Sequence, residues 1–289
     1  MSIRHFLVFG VGRLIPDRLW VQIKFFQWFG RFANLRNPQT FNEKLQWLKL
    51  YDRRQYYSIM VDKYASKQYV ADKVGREYVI PVLGRWRTPD EIDFQQLPRQ
   101  FVLKTTHDCG GVVICRDRES FDRNAATDFL WKHLKNNYYL AYREWPYKNV
   151  EPFVYAEKYL ENNASEGLHD YKVWCFNGKP AFIQYVSGRA GAESREAFYD
   201  FQWRRQPFTF HNPACEAEVR KPLQLDKIER LAGELSAGIP FLRVDFYVTE
   251  DGSVYVGELT FFPMSGFERF KPEEYDQEFG GWIVLPERK

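Results

Sequence analysis

Two runs near the C-terminus, FLRVDFYV (241–248) and SVYVGELT (253–260), alternate apolar and polar residues and are joined through Glu250-Asp251-Gly252. Period-two alternation over this length is the pattern of a strand with one buried face. Asp-Gly between two such runs is a strong signal for a two-residue hairpin turn. With Asp251 and Gly252 in that turn, Glu250 faces Ser253, Asp245 sits opposite Glu258 on the same face, and Arg243 sits opposite Thr260. Two carboxylates opposed at a Cβ distance of about 5 Å destabilise a sheet unless something positive lies between them. Oxygen donors around a small gap suit Mg²⁺, which usually also takes substrate phosphates as ligands. The plain alternative is a solvated face on which Arg243 neutralises both acids. A three-residue turn with a bulge would shift the pairing.

Other segments punctuate the chain in the same manner. FVLKTTHDCGGVVIC (101–115) reads as two strands around a loop holding Gly110 and Gly111. Glycine lets backbone N–H groups approach an anion closely. Within the first of these strands Lys104 shares a face with Val102, leaving Phe101 and Leu103 on the other. A lysine in a strand otherwise fit for burial needs a partner, and a phosphate would serve. A plain Gly-Gly hairpin with an exposed lysine is equally compatible, and His107 reads more simply as a polar loop residue than as a catalyst. VYAEKYLE (154–161) is another charged strand, and DYKVWCFNGKPAFIQYV (170–186) is a hairpin about Asn177-Gly178, with Asp170 and Lys172 on one face. Helical stretches near 123–140 and 225–237 interrupt the strands. Strands and helices without regular βαβ alternation predict an α+β fold. No Walker A string, G-x-S-x-G, H-E-x-x-H or dinucleotide fingerprint occurs.

The first forty residues differ from the rest. Between Arg13 and Arg36 stand five basic residues and one acid, interleaved with Trp20, Phe25, Phe26, Trp28, Phe29 and Phe32. A helix here puts Lys24, Gln27 and Arg31 on a narrow polar stripe and predicts either packing into the protein or contact with a membrane interface. Asn37-Pro38 is expected to end it, and Thr40 with Glu43 forms a capping box for the next helix, through Leu50. A further helix from about Asp62 carries Lys63 and Lys67. The 289 residues contain no run long and apolar enough to span a bilayer. The N-terminal run lacks a clean signal-peptide cleavage site. Cys109, Cys115, Cys175 and Cys215 show no C-x-x-C pairing and read as reduced thiols of a cytosolic protein. A net charge of +3 does not mark a nucleic-acid binder.

The order of these segments resembles the ATP-grasp superfamily over roughly 61–267. FNEKLQWLKLYD, VDKY, FVLKTTHDCGG, REWPYKN, DYKVWCFNGKP and GELTFFPMSG more closely resemble its teichuronopeptide-biosynthesis-like (TupA-like) branch. The resemblance implies an ATP-grasp fold, two α+β lobes clasping ATP, with a helical N-terminal extension at 1–60. The first lobe, with its glycine-rich lid hairpin, would run over 61–153; the second, with hinge and metal hairpin, over 154–289. Residue by residue, Lys63 and Lys104 look like the two ATP lysines, and His107 to Gly111 like the phosphate lid. Glu157, Lys158 and Leu160 look like the adenine hinge. Asp170 and Lys172 fall where ribose or phosphate contacts occur, and Asp245 and Glu258 match the metal acids. Arg243 matches the arginine that steadies an acyl phosphate. Thr260 stands where the family usually has an asparagine metal ligand, and the usual N-terminal doubly wound domain is absent or much reduced.

That resemblance implies a Mg²⁺- and ATP-dependent carboxylate–amine ligase joining an amino acid or peptide to a uronic-acid-containing surface glycan, with Arg243 and Lys104 in the catalytic roles. A glycan-modifying transferase or kinase at the same ATP site, or a non-catalytic glycan-assembly protein, are the alternatives. Arg189 and Arg195, in SGRAGAESREAFYDFQW, are the candidate clamps for the acceptor carboxylate, with Arg143 in REWPY next. The expected location is the cytoplasm, with peripheral contact at the inner membrane face through residues 13–36.

Overall fold

A computed structural model describes residues 11–160, 169–187 and 194–288. In chain order the helices are α1 (Asp17–Phe29), α2 (Phe41–Tyr51), α3 (Tyr56–Val61), α4 (Ala65–Val74), α5 (Arg123–Leu134), α6 (Tyr138–Tyr142), α7 (Leu225–Ser236) and α8 (Glu274–Trp282). The strands are β1 (Val82–Trp86), β2 (Phe101–Thr105), β3 (Val112–Cys115), β4 (Val154–Lys158), β5 (His169–Phe176), β6 (Lys179–Ser187), β7 (Arg195–Tyr199), β8 (Phe241–Val248) and β9 (Val254–Thr260). They form a four-stranded sheet, β1-β4-β2-β3, and a five-stranded sheet, β7-β6-β5-β8-β9. Every pairing within them is antiparallel. This is the expected α+β class.

Local signals explain most element ends. Thr40 Oγ1 accepts from the Glu43 N–H at 3.3 Å and Glu43 accepts from the Thr40 N–H at 3.4 Å, which is the capping box opening α2. Asn177 and Gly178 both have positive φ, 51° and 78°, as a tight I′ turn requires, so Phe176 pairs with Lys179. The first helix, however, stops at Gly30, well before Asn37-Pro38. Gly30 adopts φ 71° and returns its N–H to Phe26, a left-handed helix stop that the proline signal does not reveal.

The β8–β9 hairpin also departs from expectation, in two places. Its turn spans three residues, because the Thr249 N–H donates to Ser253 and the Gly252 N–H to Thr249. That offsets the ladder by one, so Tyr247 faces Tyr255. A bulge between Asp245 and Phe246, opposite Gly257, restores the register, and Asp245 still faces Glu258 while Arg243 faces Thr260. The two shifts cancel at the acids.

Two further corrections concern membership. The strand expected to open the second lobe, β4, is hydrogen-bonded between β1 and β2 in the first sheet. The stretch expected to be an acceptor loop contains β7, which pairs with β6 from Ile183–Tyr199 to Ser187–Arg195.

One face of the five-stranded sheet changes character along its length. On β5 the alternating residues are Asp170, Lys172, Trp174 and Phe176. Trp174 and Phe176 are buried with Phe41, Phe182, Phe241 and Phe270, ring centroids being 4.9–6.2 Å apart in the pairs involving Phe41. Phe41 comes from α2, so the N-terminal helices complete the main core. The opposite face, with Val173, Cys175, Leu242 and Val244, shares that core with Ile228, Leu231 and Ala232 of α7. A smaller core of Phe94, Phe101, Leu103, Leu130 and Ala156 lies under the four-stranded sheet. All four cysteines are free thiols. Among the described residues no helix is long and apolar enough to cross a membrane.

Candidate functional site

The polar end of that sheet face carries an interlocked set of charges. Lys172 lies opposite Asp245 on the neighbouring strand, and its Nζ sits 2.5 Å from Asp245 Oδ2 and 2.9 Å from Asp170 Oδ2. Arg243, two residues along β8, donates through Nε to Asp245 Oδ1 at 2.7 Å and through Nη2 to Oδ2 at 2.8 Å, a bidentate clasp. Its Nη2 also reaches Thr260 Oγ1 at 3.2 Å. Burial alone would raise the Asp245 carboxyl, but Arg243 and Lys172 beside it hold it below the ordinary carboxylate range. Glu258 differs. Its side chain is 34 % exposed and its nearest cation is Lys63, at 4.0 Å. The positive charge that the register argument required is therefore supplied to Asp245 by two side chains, leaving Glu258 open.

A second charge set lies on the four-stranded sheet. Lys104 projects from the face of β2 opposite Phe101, Leu103 and Thr105, which are buried. Glu157 on β4 is ion-paired to Lys104 and accepts from Lys67 Nζ of α4 at 2.8 Å. Burial would raise the Glu157 carboxyl; the two lysines overcome it and hold it low. The same balance pushes Lys104 up, because Glu157 outweighs its burial, whereas burial wins at Lys67 and lowers it. Lys158 is exposed and donates its N–H to Pro81 at 2.9 Å, and Leu160 is half-buried.

Between the two sets lies the glycine loop. The Thr105 N–H donates to Gly111 at 2.9 Å, closing its base. Gly110 needs its glycine for φ 90°. Gly111 needs its own for space, since a Cβ there would fall 1.9 Å from Thr105 Oγ1. Lys63, in the break between α3 and α4, receives the loop: its N–H donates to Thr106 at 3.0 Å and its Nζ to the Asp108 carbonyl. One lysine thus spans the loop and Glu258. His107 is buried, with Nε2 3.1 Å from the Asn136 carbonyl and Nδ1 without a partner. Burial lowers its pKa.

Lys63, Lys104, His107, Gly110, Gly111, Glu157, Asp170, Lys172, Arg243, Asp245, Glu258 and Thr260 are therefore distributed over two linked sets and the loop between them. The two described acceptor candidates, Arg195 and Arg143, are not. Arg195 is exposed at the start of edge strand β7 and donates to Ala214 at 3.3 Å. Tyr199 and Trp203, in the same stretch, stack on each other at 4.4 Å. Arg143 is buried with φ 57°, donates to Leu140, Gly12 and Ile15 carbonyls, and has Nε 3.1 Å from Asp17. It ties the N-terminal segment down instead of reaching the loop. Arg189 lies outside the described residues. Two contributors escaped the sequence reading as site residues. Lys67, one turn after Lys63 on α4, had spacing as its only signal. Asp108 was covered only as part of the His107 to Gly111 lid, with no role of its own.

The donors fit a hard cation only in part. Asp245, Glu258 and Thr260 offer oxygen ligands, yet among the described residues no three or more His, Cys, Asp or Glu side chains converge on one point. Such a set suits a single Mg²⁺ that draws its remaining ligands from phosphate and water. The five cations Lys63, Lys67, Lys104, Lys172 and Arg243 match a polyanion.

The chain resembles several solved structures. The L-amino acid ligase of Bacillus licheniformis aligns at 15 % identity and TM-score 0.44, over 72 % of this chain and 44 % of that one. N5-carboxyaminoimidazole synthetase of Staphylococcus aureus aligns at 14 % and 0.43, over 79 % and 53 %. Biotin carboxylase of Campylobacter jejuni aligns at 13 % and 0.47, over 81 % and 48 %. The chain spans about half the length of these structures. No curated protein sequence matches it. A family profile described as TupA-like ATPgrasp matches residues 43–284, a span that takes in both charge sets and the glycine loop, and the chain belongs to that family.

Proposed function

We propose that the protein is an ATP- and Mg²⁺-dependent carboxylate–amine ligase. One observation carries the reading: Glu258 stands open opposite a fully clasped Asp245, and Lys63 links it to the glycine loop. Bound Mg²⁺ would supply positive charge that offsets the charge of the phosphate groups. Asp245, Glu258 and Thr260 would hold it, while Lys63 and Lys104 bind phosphate. Glu157, Lys158 and Leu160 line the adenine side, Glu157 acting through the lysines it orients. Asp170 and Lys172 serve the ribose or phosphate side. The acceptor carboxylate attacks the γ-phosphorus and ADP leaves. The amine then attacks the acyl carbon, inorganic phosphate leaves and the amine loses a proton. Arg243 stabilises the negative charge on the transferring group, and the chain works chiefly by positioning and fixed charge.

The acceptor in this reading is a uronic-acid-containing surface glycan and the amine an amino acid or peptide. That assignment follows the resemblance to the teichuronopeptide-biosynthesis-like branch. Arg189 and Arg195 hold the uronate; Arg143, committed to Asp17, takes no part. The open side of α1 adds peripheral contact with the membrane. Trp20, Val21 and Phe25 are buried, whereas Leu19 (54 %), Phe26 (49 %) and Phe32 (64 %) stay exposed among basic residues, a composition suited to anionic lipid. Liposome flotation of the full chain, with and without phosphatidylserine, tests that contact.

The experiment for the ligase is ADP release from the purified protein given a uronate oligosaccharide and a mixture of amino acids, with mass spectrometry of the product. Release that needs both substrates, and a product heavier by one amide-linked residue, is the expected result. A phosphorylated glycan formed without amine would identify a kinase instead. Glu258→Gln is expected to lower turnover by about a hundredfold or more, the scale of losing one preorganised electrostatic group.

A further inference from the structure

The glycine loop is free at its tip and fixed at its root. Cys109 and Gly110 are exposed, whereas Thr105, Thr106, His107 and Asp108 are buried. The Asp108 side chain makes the fixation. One oxygen accepts from Thr105 Oγ1 inside the loop; the other lies 2.5 Å from His133 Nδ1 and accepts from Asn136 Nδ2 at 3.1 Å. His133 is in the last turn of α5 and Asn136 lies just beyond it. Neither α5 nor its exit supplies any of the charged residues of the site. Asn136 also offers its carbonyl to His107. An ionised carboxylate only accepts, so His133 Nδ1 carries the proton and donates. Gly111 has no room for a side chain because Thr105 and Asp108, held in this arrangement, occupy the space.

We propose that His133 is a positioning residue for the glycine loop: through Asp108 it fixes the loop root at the place where Lys63 meets the Asp108 carbonyl. This rests on the nucleotide reading for its catalytic consequence, though not for the contact itself. Two polar groups on α5 and its exit replace water around a buried carboxylate, and without them Asp108 is left partly unpaired in a low-dielectric setting. The loop would then lose the geometry that presents its backbone to phosphate.

The test uses the full chain with His133→Ala and His133→Asn. Asparagine places an N–H donor close to the position of Nδ1; alanine places none. Amide hydrogen exchange over 105–111, measured without nucleotide, is expected to speed up by about tenfold or more in His133→Ala, the order of one lost charged hydrogen bond, and to stay near wild type in His133→Asn. In MgATP titrations the same pair should show weakened affinity for alanine only, with kcat at saturating MgATP little changed. Equal exchange in wild type and His133→Ala overturns the proposal, and so does an asparagine variant as impaired as alanine. A wild type that binds no MgATP would defeat the ligase reading while leaving the exchange experiment decisive for the latch.

Discussion

The two ends of one sheet face are built from the same strands and do opposite things. Along β5, two steps lead from Asp170 and Lys172 to Trp174 and Phe176. At the aromatic end, rings from α2, β6, β7, β8 and the segment before α8 enclose Trp174, whose indole N–H donates to Gln184 Oε1 at 3.2 Å, and ring burial is the main stabilising contribution. At the ionic end, Asp245 is as deeply buried as those rings but must be clasped by Arg243 and Lys172 to stay there. A buried ion pair of this kind contributes little net stability, because desolvation offsets the attraction. The aromatic end therefore holds the fold, and the ionic end spends some of that stability on fixed charge facing the glycine loop.

The largest effect that would sharpen this contrast is Trp174→Ala. Removing a fully buried indole is expected to cost about 3–5 kcal/mol, read from urea denaturation, with the cost nearly constant from neutral to mildly acidic pH because the rings packed on it are uncharged. A smaller loss, about 1.5–3 kcal/mol, is expected for Lys172→Met, which leaves Asp245 to Arg243 alone. A variant more stable than wild type would mean that desolvation of Lys172 outweighs its two contacts. Smaller still is a pH effect. Glu157 and Asp245 are held below their ordinary values of 4.5 and 3.8. Depressed carboxyls stabilise the fold above those values and lose that contribution as pH falls through the lower folded ones. Stability should thus decline below about pH 4.5, and Glu157→Gln should flatten the decline. An unchanged slope in that variant would place the acid sensitivity elsewhere.

Much of this arrangement was legible in residue patterns, and the failures have local causes. The opposition of Asp245 and Glu258 was read from an Asp-Gly turn, yet it survives only because a longer turn and a bulge at Gly257 compensate. Alternation and turn chemistry report which residues share a face more reliably than they report the turn itself. The capping box at Thr40 and the Asn177-Gly178 turn are local, and both appear where expected. β7 was missed because REAFY is too short to stand out beside SGRAGAES. The end of α1 was misjudged because Gly30 stops the helix before Asn37-Pro38 is reached. Arg143 looked available for a substrate because nothing in REWPY announces Asp17, far away in sequence. The partners of Glu157 and Asp108 arrive from α4 and α5, and long-range pairings of that kind leave no periodic trace.

In the proposed ligase, the ionic end and the glycine loop together hold a nucleotide through a divalent cation. Isothermal titration of the full chain with ATP, with and without Mg²⁺, for wild type and Glu258→Gln, tests it most directly. The expected result is one site per chain, a dissociation constant on the order of micromolar to millimolar with Mg²⁺, and a loss of about tenfold or more in the variant or without the metal, with thermal stability retained. Binding that ignores both Mg²⁺ and Glu258, or no binding at all, would contradict it.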